Sequence, residues 1–355
     1  MALPDTQKQY VFPEFKGFRN LTLREAPVIA PARDEVLVRI HAVSLNYRDL
    51  LVSEGKYPRP TKSAPLVPCA DLAGEIVAVG PDAEGWKAGD RVIGSPTPTF
   101  TSGAFRDAGR VADYGAGQEG VLTEYKIVSA QSLVQIPAHL SYEEASTLLA
   151  APLTAYNALF SGPEPVKPGD YVLTLGTGGV SMQSLTRISS SGALQLAVAA
   201  GAIVIVTSSS EEKLEVARRL GAKHTVNYRQ VPDWHEEVLK ITGGRGVDHV
   251  IEVGGPGTLL KSVKSCVVGA KIHLIGFLAE GTLESEILFE AIVKTLTLRG
   301  ILVGSVAQLR EMMRIVDVAK IKPVVDKIFS FDKAVEAFEH LEKQLFLGKV
   351  VVRVS

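Results

Sequence analysis

Residues 171–181 read Tyr-Val-Leu-Thr-Leu-Gly-Thr-Gly-Gly-Val-Ser. A short apolar strand runs into Gly176, Thr177, Gly178, Gly179 and Val180. A glycine-rich turn between a strand and a helix lets backbone amides approach a pyrophosphate, whose charge then rests on the helix N-terminus. The spacing is Gly-x-Gly-x-x-Gly with Ser181 in place of the third glycine, and a small residue there still permits close helix–strand packing. The bland alternative is a structural glycine turn. The strand–helix–strand setting argues for a dinucleotide. Dinucleotide sites selective for NAD carry an acid at the tip of the second strand, on the ribose diol. Here residues 202–207 form that strand, and Ser208, Ser209 and Ser210 follow, with Glu211, Glu212 and Lys213 only afterwards. Hydroxyls and a lysine suit a 2′-phosphate, so the expected cofactor is NADPH. The same serines also fit capping boxes, Ser208-x-x-Glu211 and Ser209-x-x-Glu212, and both roles are compatible.

Two regimes of structure must position these residues. Before about residue 150, polar and apolar residues alternate at 35–40 and 73–80, and Gly/Pro clusters punctuate them, which predicts a β barrel or sandwich. Residues 46–53 read as a short helix and 96–120 as a long loop. After about residue 152, short apolar strands at 170–175, 202–207, 247–252, 270–275 and 296–303 alternate with helical stretches such as 211–220 and 234–241. That is the rhythm of an α/β, doubly wound parallel sheet. Beyond residue 305 a helix, two short strands and another helix are expected. The β-like tail 348–354 should return to the first domain. The expected division is 1–150, 151–305 and 306–355.

Composition narrows the classes of partner. The chain has 355 residues, 46% hydrophobic, with a net charge of −1, and so lacks the basic excess of a nucleic-acid or membrane-surface binder. Two cysteines, Cys69 and Cys266, are too few for a disulfide framework or an all-cysteine zinc site. With no visible signal peptide and no apolar run long enough to span a bilayer, a cytoplasmic protein acting on a small-molecule substrate is expected.

Several segments together resemble the medium-chain dehydrogenase/reductase superfamily, and within it the zinc-free NADPH quinone reductases and their alcohol-dehydrogenase-like relatives. They are Ser44 to Asp49 (Ser-Leu-Asn-Tyr-Arg-Asp), 54–58 (Glu-Gly-Lys-Tyr-Pro), 71–74 (Asp-Leu-Ala-Gly), 86–92 (Trp-Lys-Ala-Gly-Asp-Arg-Val), 151–156, the glycine loop and 223–228. The resemblance implies a GroES-like β-barrel catalytic domain and a Rossmann domain; in such relatives the active site lies between the two. It further implies Thr154 near the nicotinamide, and Ser208, Lys213 and Tyr228 near the 2′-phosphate. Val253, Phe277, Leu278 and Val303 would border the nicotinamide channel, with simple core packing as the alternative for each apolar one. Lys349 would reach the pyrophosphate from the tail. A homodimer through the Rossmann domain is also implied, consistent with the apolar final strand 296–303.

The resemblance also bears on metal. The positions matching the zinc ligands of metal-dependent relatives are Asn46, Ala70 and Ala150, and none supplies a thiolate or imidazole. His41, His249 and His273 lie inside predicted strands and read as packing residues, so no metal is expected. Hydride addition to a simple ketone builds an alkoxide that a metal would stabilise. Without one, the site needs a proton donor or a substrate that spreads the charge itself, as enones and quinones do. Tyr57 resembles the acid tyrosine of related enoyl reductases, with barrel-edge packing as its alternative. Asn46 and Tyr47 would orient the carbonyl or the nicotinamide ribose. The expectation is NADPH-dependent reduction of a conjugated carbonyl or quinone. Two alternatives remain: a zinc-free alcohol-dehydrogenase-like enzyme of specialised metabolism, and a weakly active NADPH-binding protein. One segment departs from the pattern. Residues 184–192, with Ser189-Ser190-Ser191-Gly192, look like an insertion in the phosphate-binding helix, expected to leave the axis as a loop before the helix resumes near Ala193.

Overall fold

The computed structural model describes residues 3–105, 113–176, 187–276, 282–343 and 348–355, with the backbone alone at 187–191. Two compact units emerge: Met1–Ala150 with Gly304–Ser355, and Ala151–Val303.

The first unit opens with β1 (Thr6–Val11) and β2 (Thr22–Pro27), an antiparallel pair. Then follow β3 (Glu35–Ser44), α1 (Tyr47–Ser53), β4 (Asp71–Val79), β5 (Arg91–Gly94), β6 (Tyr125–Ser129), β7 (Leu133–Gln135) and α2 (Tyr142–Ser146). β3 is the hub: it pairs antiparallel with β4 and with β6. The expected alternation breaks at Leu37 and Val38, both buried, because a register shift against β4 falls between them and turns successive side chains inward. Within the described parts of 96–120 the chain is loop, apart from an isolated bridge between Tyr114 and Gln118.

The second unit is a six-stranded parallel sheet. Its elements are α3 (Ala150–Phe160), β8 (Tyr171–Leu175), α4 (Arg187–Ala199), β9 (Ile203–Ser208), α5 (Glu211–Arg219), β10 (His224–Asn227), α6 (Trp234–Ile241), β11 (Val247–Glu252), α7 (Leu259–Lys264), β12 (Cys266–Leu274), α8 (Glu286–Val293) and β13 (Thr297–Gly300). Strand order is β10-β9-β8-β11-β12-β13. The order reverses between β8 and β11, and the carboxyl ends at such a reversal are where open α/β sheets take ligands. The last strand is shorter than expected and stops at Gly300.

The serine run corrects the sequence reading. Residues 187–192 are helical, inside α4, rather than a loop. The physical reason is packing. A Cβ on Gly192 would lie 3.0–3.1 Å from Pro152 on α3, so the glycine permits a close helix–helix approach instead of a turn. Tertiary contact overrides poor helix propensity here. Leu194 and Ala197 are buried, as expected. Residues 177–186, which hold the rest of the glycine loop, lie outside the described residues.

The chain then returns to the first unit through α9 (Val306–Val318), β14 (Val325–Ser330), α10 (Ala334–Lys343) and β15 (Lys349–Arg353). One strand, not two, precedes α10. β15 lies between β14, parallel, and β3, antiparallel, and closes the order β14-β15-β3-β4-β5-β7.

Candidate functional site

In the second unit, Gly176, Ser208 and Val253 lie at the carboxyl ends of β8, β9 and β11. Gly176 ends β8; a Cβ there would stand 1.9 Å from the Thr207 carbonyl oxygen, so no side chain fits. Ser208 is the buried last residue of β9, and its carbonyl accepts from the Tyr228 amide at 3.0 Å. Ser210, not Ser208 or Ser209, caps α5: its hydroxyl accepts from the Lys213 amide at 3.4 Å. Ser208 and Ser209 are thus not used as caps. Glu211 is paired with Arg218 at 2.6 Å. Gly176 thus packs directly on the β9 backbone, and the tip of β9 carries the hydroxyls of Ser208, Ser209 and Ser210.

Val253 follows β11 and is buried. The preceding Glu252, also buried, accepts from the Gly254 and Gly255 amides at 2.7 and 3.0 Å and from the Thr258 hydroxyl at 2.6 Å, and it contacts the Ser262 hydroxyl. Burial pushes its pKa up, against the pull of these donors. Thr154 is buried on α3. Three residues on, Asn157 donates to the Val303 carbonyl at 2.6 Å and its own Oδ1 accepts from Arg299 at 2.8 Å. Val303 has φ 49°, a left-handed conformation that costs a β-branched residue dearly. Asn157 holds that strain in place, and strain of this kind clusters at ligand sites. Phe277, Leu278, Thr177, Gly178, Gly179 and Val180 lie outside the described residues.

The first unit holds a buried polar centre. Asn46 precedes α1, and its amide N–H donates to Asp49 Oδ2 at 2.8 Å. Its side chain turns away from the helix: Nδ2 donates to Asp71 Oδ2 at 2.9 Å, and Oδ1 accepts from Lys349 Nζ at 2.6 Å. Lys349 Nζ also stands 3.5 Å from Asp71 Oδ2, which accepts from the Ala150 amide at 3.3 Å. Lys349, expected at the pyrophosphate, is here held by side chains of the first unit. Its side chain is 2% exposed and its ammonium is committed to Asn46 and Asp71. Burial drives the Asp49 carboxyl up to about 6, with Arg48, the Asn46 amide and Lys349 opposing. Burial also lowers the Lys349 pKa, against Asp71 and Asp49.

Beside this centre, Tyr57 donates to Asp113 Oδ2 at 3.1 Å, and Arg59 Nη1 pairs with the same oxygen at 2.5 Å. The Arg48 guanidinium lies 4.9 Å from the Tyr57 ring centroid and 3.8 Å from Asp113. Among the described residues, its buried Nε and Nη2 have no hydrogen-bond partner. Burial raises the Tyr57 pKa, while Arg48 and Arg59 pull it down. Tyr47 is buried at the start of α1, its pKa raised by burial and by Glu54. Sequence reasoning missed Arg48, Asp49 and Asp113 as members of the centre. The available signal was charge inside short stretches otherwise apolar, Arg48-Asp49 before Leu-Leu-Val and Asp71 before Leu-Ala.

A metal does not fit the three positions matched to zinc ligands. The Asn46 side chain and the Ala150 amide both reach Asp71, and the side chains at the three positions are one amide and two methyl groups, with the Lys349 ammonium on Asn46 Oδ1. Among the described residues, no group of three or more His, Cys, Asp or Glu is arranged to hold an ion.

Comparison with known proteins agrees with this architecture. Residues 32–138 match the family described as alcohol dehydrogenase GroES-like domain, and 190–317 the family described as zinc-binding dehydrogenase. A zinc-type alcohol dehydrogenase-like protein of Schizosaccharomyces pombe is 43% identical over 97% of this chain and 98% of its own. Quinone oxidoreductase-like protein 2 of Bos taurus is 26% identical over 95% of this chain and 90% of its own. A crystal structure described as an NAD-dependent alcohol dehydrogenase superposes with a TM-score of 0.86 at 32% identity, covering 98% of this chain and all of that one. No helix among the described residues is long and apolar enough to cross a membrane. With a GroES-like unit, a Rossmann-like unit and a full-length relative at 43% identity, the chain belongs to the medium-chain dehydrogenase/reductase family of oxidoreductases.

Proposed function

We propose that this protein is an NADPH-dependent reductase that delivers hydride to a conjugated carbonyl or a quinone without a metal. The observation that carries the reading is the chemistry at the three ligand-matched positions, where Asn46, Ala70 and Ala150 offer no thiolate or imidazole and Asn46 Oδ1 is occupied by the Lys349 ammonium. A buried ammonium cannot take an alkoxide into its coordination sphere as a Lewis acid does. The site then relies on a proton donor and on a substrate that delocalises the charge that hydride creates.

Bound NADPH supplies the hydride. Gly176 would offer the backbone approach for its pyrophosphate, and Ser208, Ser209, Lys213 and Tyr228 would hold the 2′-phosphate. Thr154, Val253 and the Asn157-braced Val303 would border the nicotinamide. For an enone, hydride goes to the β-carbon and the electron pair moves to the carbonyl oxygen as an enolate. Tyr57 then gives its proton to the α-carbon, so NADPH and one proton yield NADP⁺ and the saturated ketone. The tyrosinate left behind is stabilised by Arg48 and Arg59, whose charges lower the Tyr57 pKa. Proton uptake from solvent resets it. Asn46 and Tyr47 orient the bound reactants. We also propose a homodimer in a reducing, cytoplasmic setting, in keeping with two free buried cysteines.

The kinship with an alcohol dehydrogenase structure favours one competing reading, reversible oxidation of an alcohol. The purified protein is offered NADPH with 1,4-naphthoquinone, then with a cyclic enone, and NADP⁺ with primary and secondary alcohols. Steady oxidation of NADPH by the quinone or the enone is expected. Turnover of alcohols alone would replace the proposal with the second reading.

A further inference from the structure

Glu252 is the last residue of β11, and its side chain is wholly buried. Taking a carboxylate out of water is costly unless donors meet its oxygens. Here the segment that follows in the chain meets them. Oε1 accepts from the Gly254 amide at 2.7 Å, the Gly255 amide at 3.0 Å and the Thr258 hydroxyl at 2.6 Å, and Oε2 accepts from the Ser262 hydroxyl on α7. The carboxylate thus ties together the end of β11, the turn 253–258 and α7. The fit is close: a Cβ on Gly254 would stand 2.3 Å from Thr258 Oγ1, the same oxygen that donates to Glu252. An apolar residue at the end of this buried strand would avoid the desolvation cost. It would leave the two amides and two hydroxyls without their acceptor, and the turn without its anchor.

The place of the turn gives that anchor a consequence. In the strand order β10-β9-β8-β11, β11 flanks β8 on the side away from β9. Adjacent strands lie about 4.8 Å apart. A dinucleotide with its 2′-phosphate beyond β9 and its pyrophosphate at Gly176 therefore extends its other half over the turn that follows β11.

We propose that Glu252 is a positioning residue for the nicotinamide half of the cofactor: acting through the turn 253–258, it fixes the backbone against which that half rests. The inference rests on the dinucleotide placement proposed above. It does not rest on the preference for NADPH, since NADPH and NADH share the nicotinamide half.

Binding to the full-length chain tests it, with folding checked by circular dichroism. NADPH and NADH probe the whole dinucleotide; adenosine 2′,5′-bisphosphate and ADP, titrated by calorimetry, lack the nicotinamide half. Glu252→Ala is expected to weaken the reduced dinucleotides by about tenfold or more and to hold the two adenine-half probes within about twofold. Glu252→Gln keeps an oxygen where Oε1 stands, and the Ser262 hydroxyl can turn to accept from the new amide nitrogen, so a loss of no more than about threefold is expected. Should Glu252→Ala not fold, Thr258→Val decides. It removes one of the three donors to Oε1 and is expected to weaken the reduced dinucleotides by about threefold or more, again sparing the adenine-half probes. Losses shared equally by the adenine-half probes, or no loss in the folded Glu252→Ala or Thr258→Val chain, would overturn the positioning role. Equal binding of NADPH and NADH by the wild type would overturn the NADPH reading alone, so the two failures are told apart.

Discussion

Ser208 and Tyr228 meet where β9 and β10 end, and Lys213 lies in the first turn of α5 that follows. One charge-assisted contact from Lys213 to a 2′-phosphate is worth about 1–2 kcal/mol. Lys213→Ala is therefore expected to weaken NADPH by roughly 5–30-fold and leave NADH nearly unchanged, measured by fluorescence titration of each reduced cofactor. Equal weakening of both would show that Lys213 does not read the phosphate. The positions of Ser208 and Lys213 were legible in the sequence because they follow from the end of one strand and the start of one helix. The placement of Lys349 was not legible. A Gly-Lys pair before a terminal strand says nothing about which of two units will enclose the side chain, and only the pairing of β15 with β3 places it on Asn46. The same holds for Asp113, whose partners Tyr57 and Arg59 lie more than fifty residues away in sequence.

Among the elements, β11 and β12 carry a buried histidine pair. His249 Nδ1 and His273 Nε2 are 3.2 Å apart with their rings stacked, and His249 Nε2 is 3.6 Å from Asp170. Burial, then the neighbouring His249, pushes His273 down to about 3. Its folded pKa lies below the unfolded value near 6.5, so the neutral form is the one the fold prefers. The stability this contributes is complete above pH 6.5 and is lost as pH falls from there toward 3. From this group alone the loss approaches about 1.4 kcal/mol per pH unit below about pH 6. His273→Gln removes the titration, so its stability relative to wild type should rise between pH 7.5 and pH 5.0 in urea denaturation. A pH-independent difference would mean the pair is not held neutral. The strands themselves were readable from apolar runs, and the packing role of these histidines from their place in those runs. The first turns of α4, residues 187–192, were not readable. Its serine run argues locally for a loop, and the contact of Gly192 with Pro152, forty residues earlier, decides otherwise.

At the scale of the whole molecule, the second unit leaves apolar surface uncovered. Leu288, Phe289, Ile292 and Val293 on α8 are 58–75% exposed, and β13 is the open edge of its sheet, with Leu298 and Leu302 beside it also exposed. An exposed apolar helix next to an open strand edge marks an association surface, and a twofold copy of the same edge is the simplest cover. Light scattering at micromolar concentration should give twice the chain mass, and Phe289→Asp with Ile292→Asp should give a folded monomer; a monomeric wild type would contradict the assignment. The central claim concerns chemistry, and one measurement on one sample tests it most directly: NADPH oxidation by 1,4-naphthoquinone and by a cyclic enone, recorded at the reduced nicotinamide band on protein whose zinc content has been determined, before and after treatment with a chelator. The account predicts turnover of at least one of the two acceptors by protein with far less than one zinc per chain, at a rate the chelator leaves unchanged. Stoichiometric zinc together with chelator-sensitive turnover would contradict it.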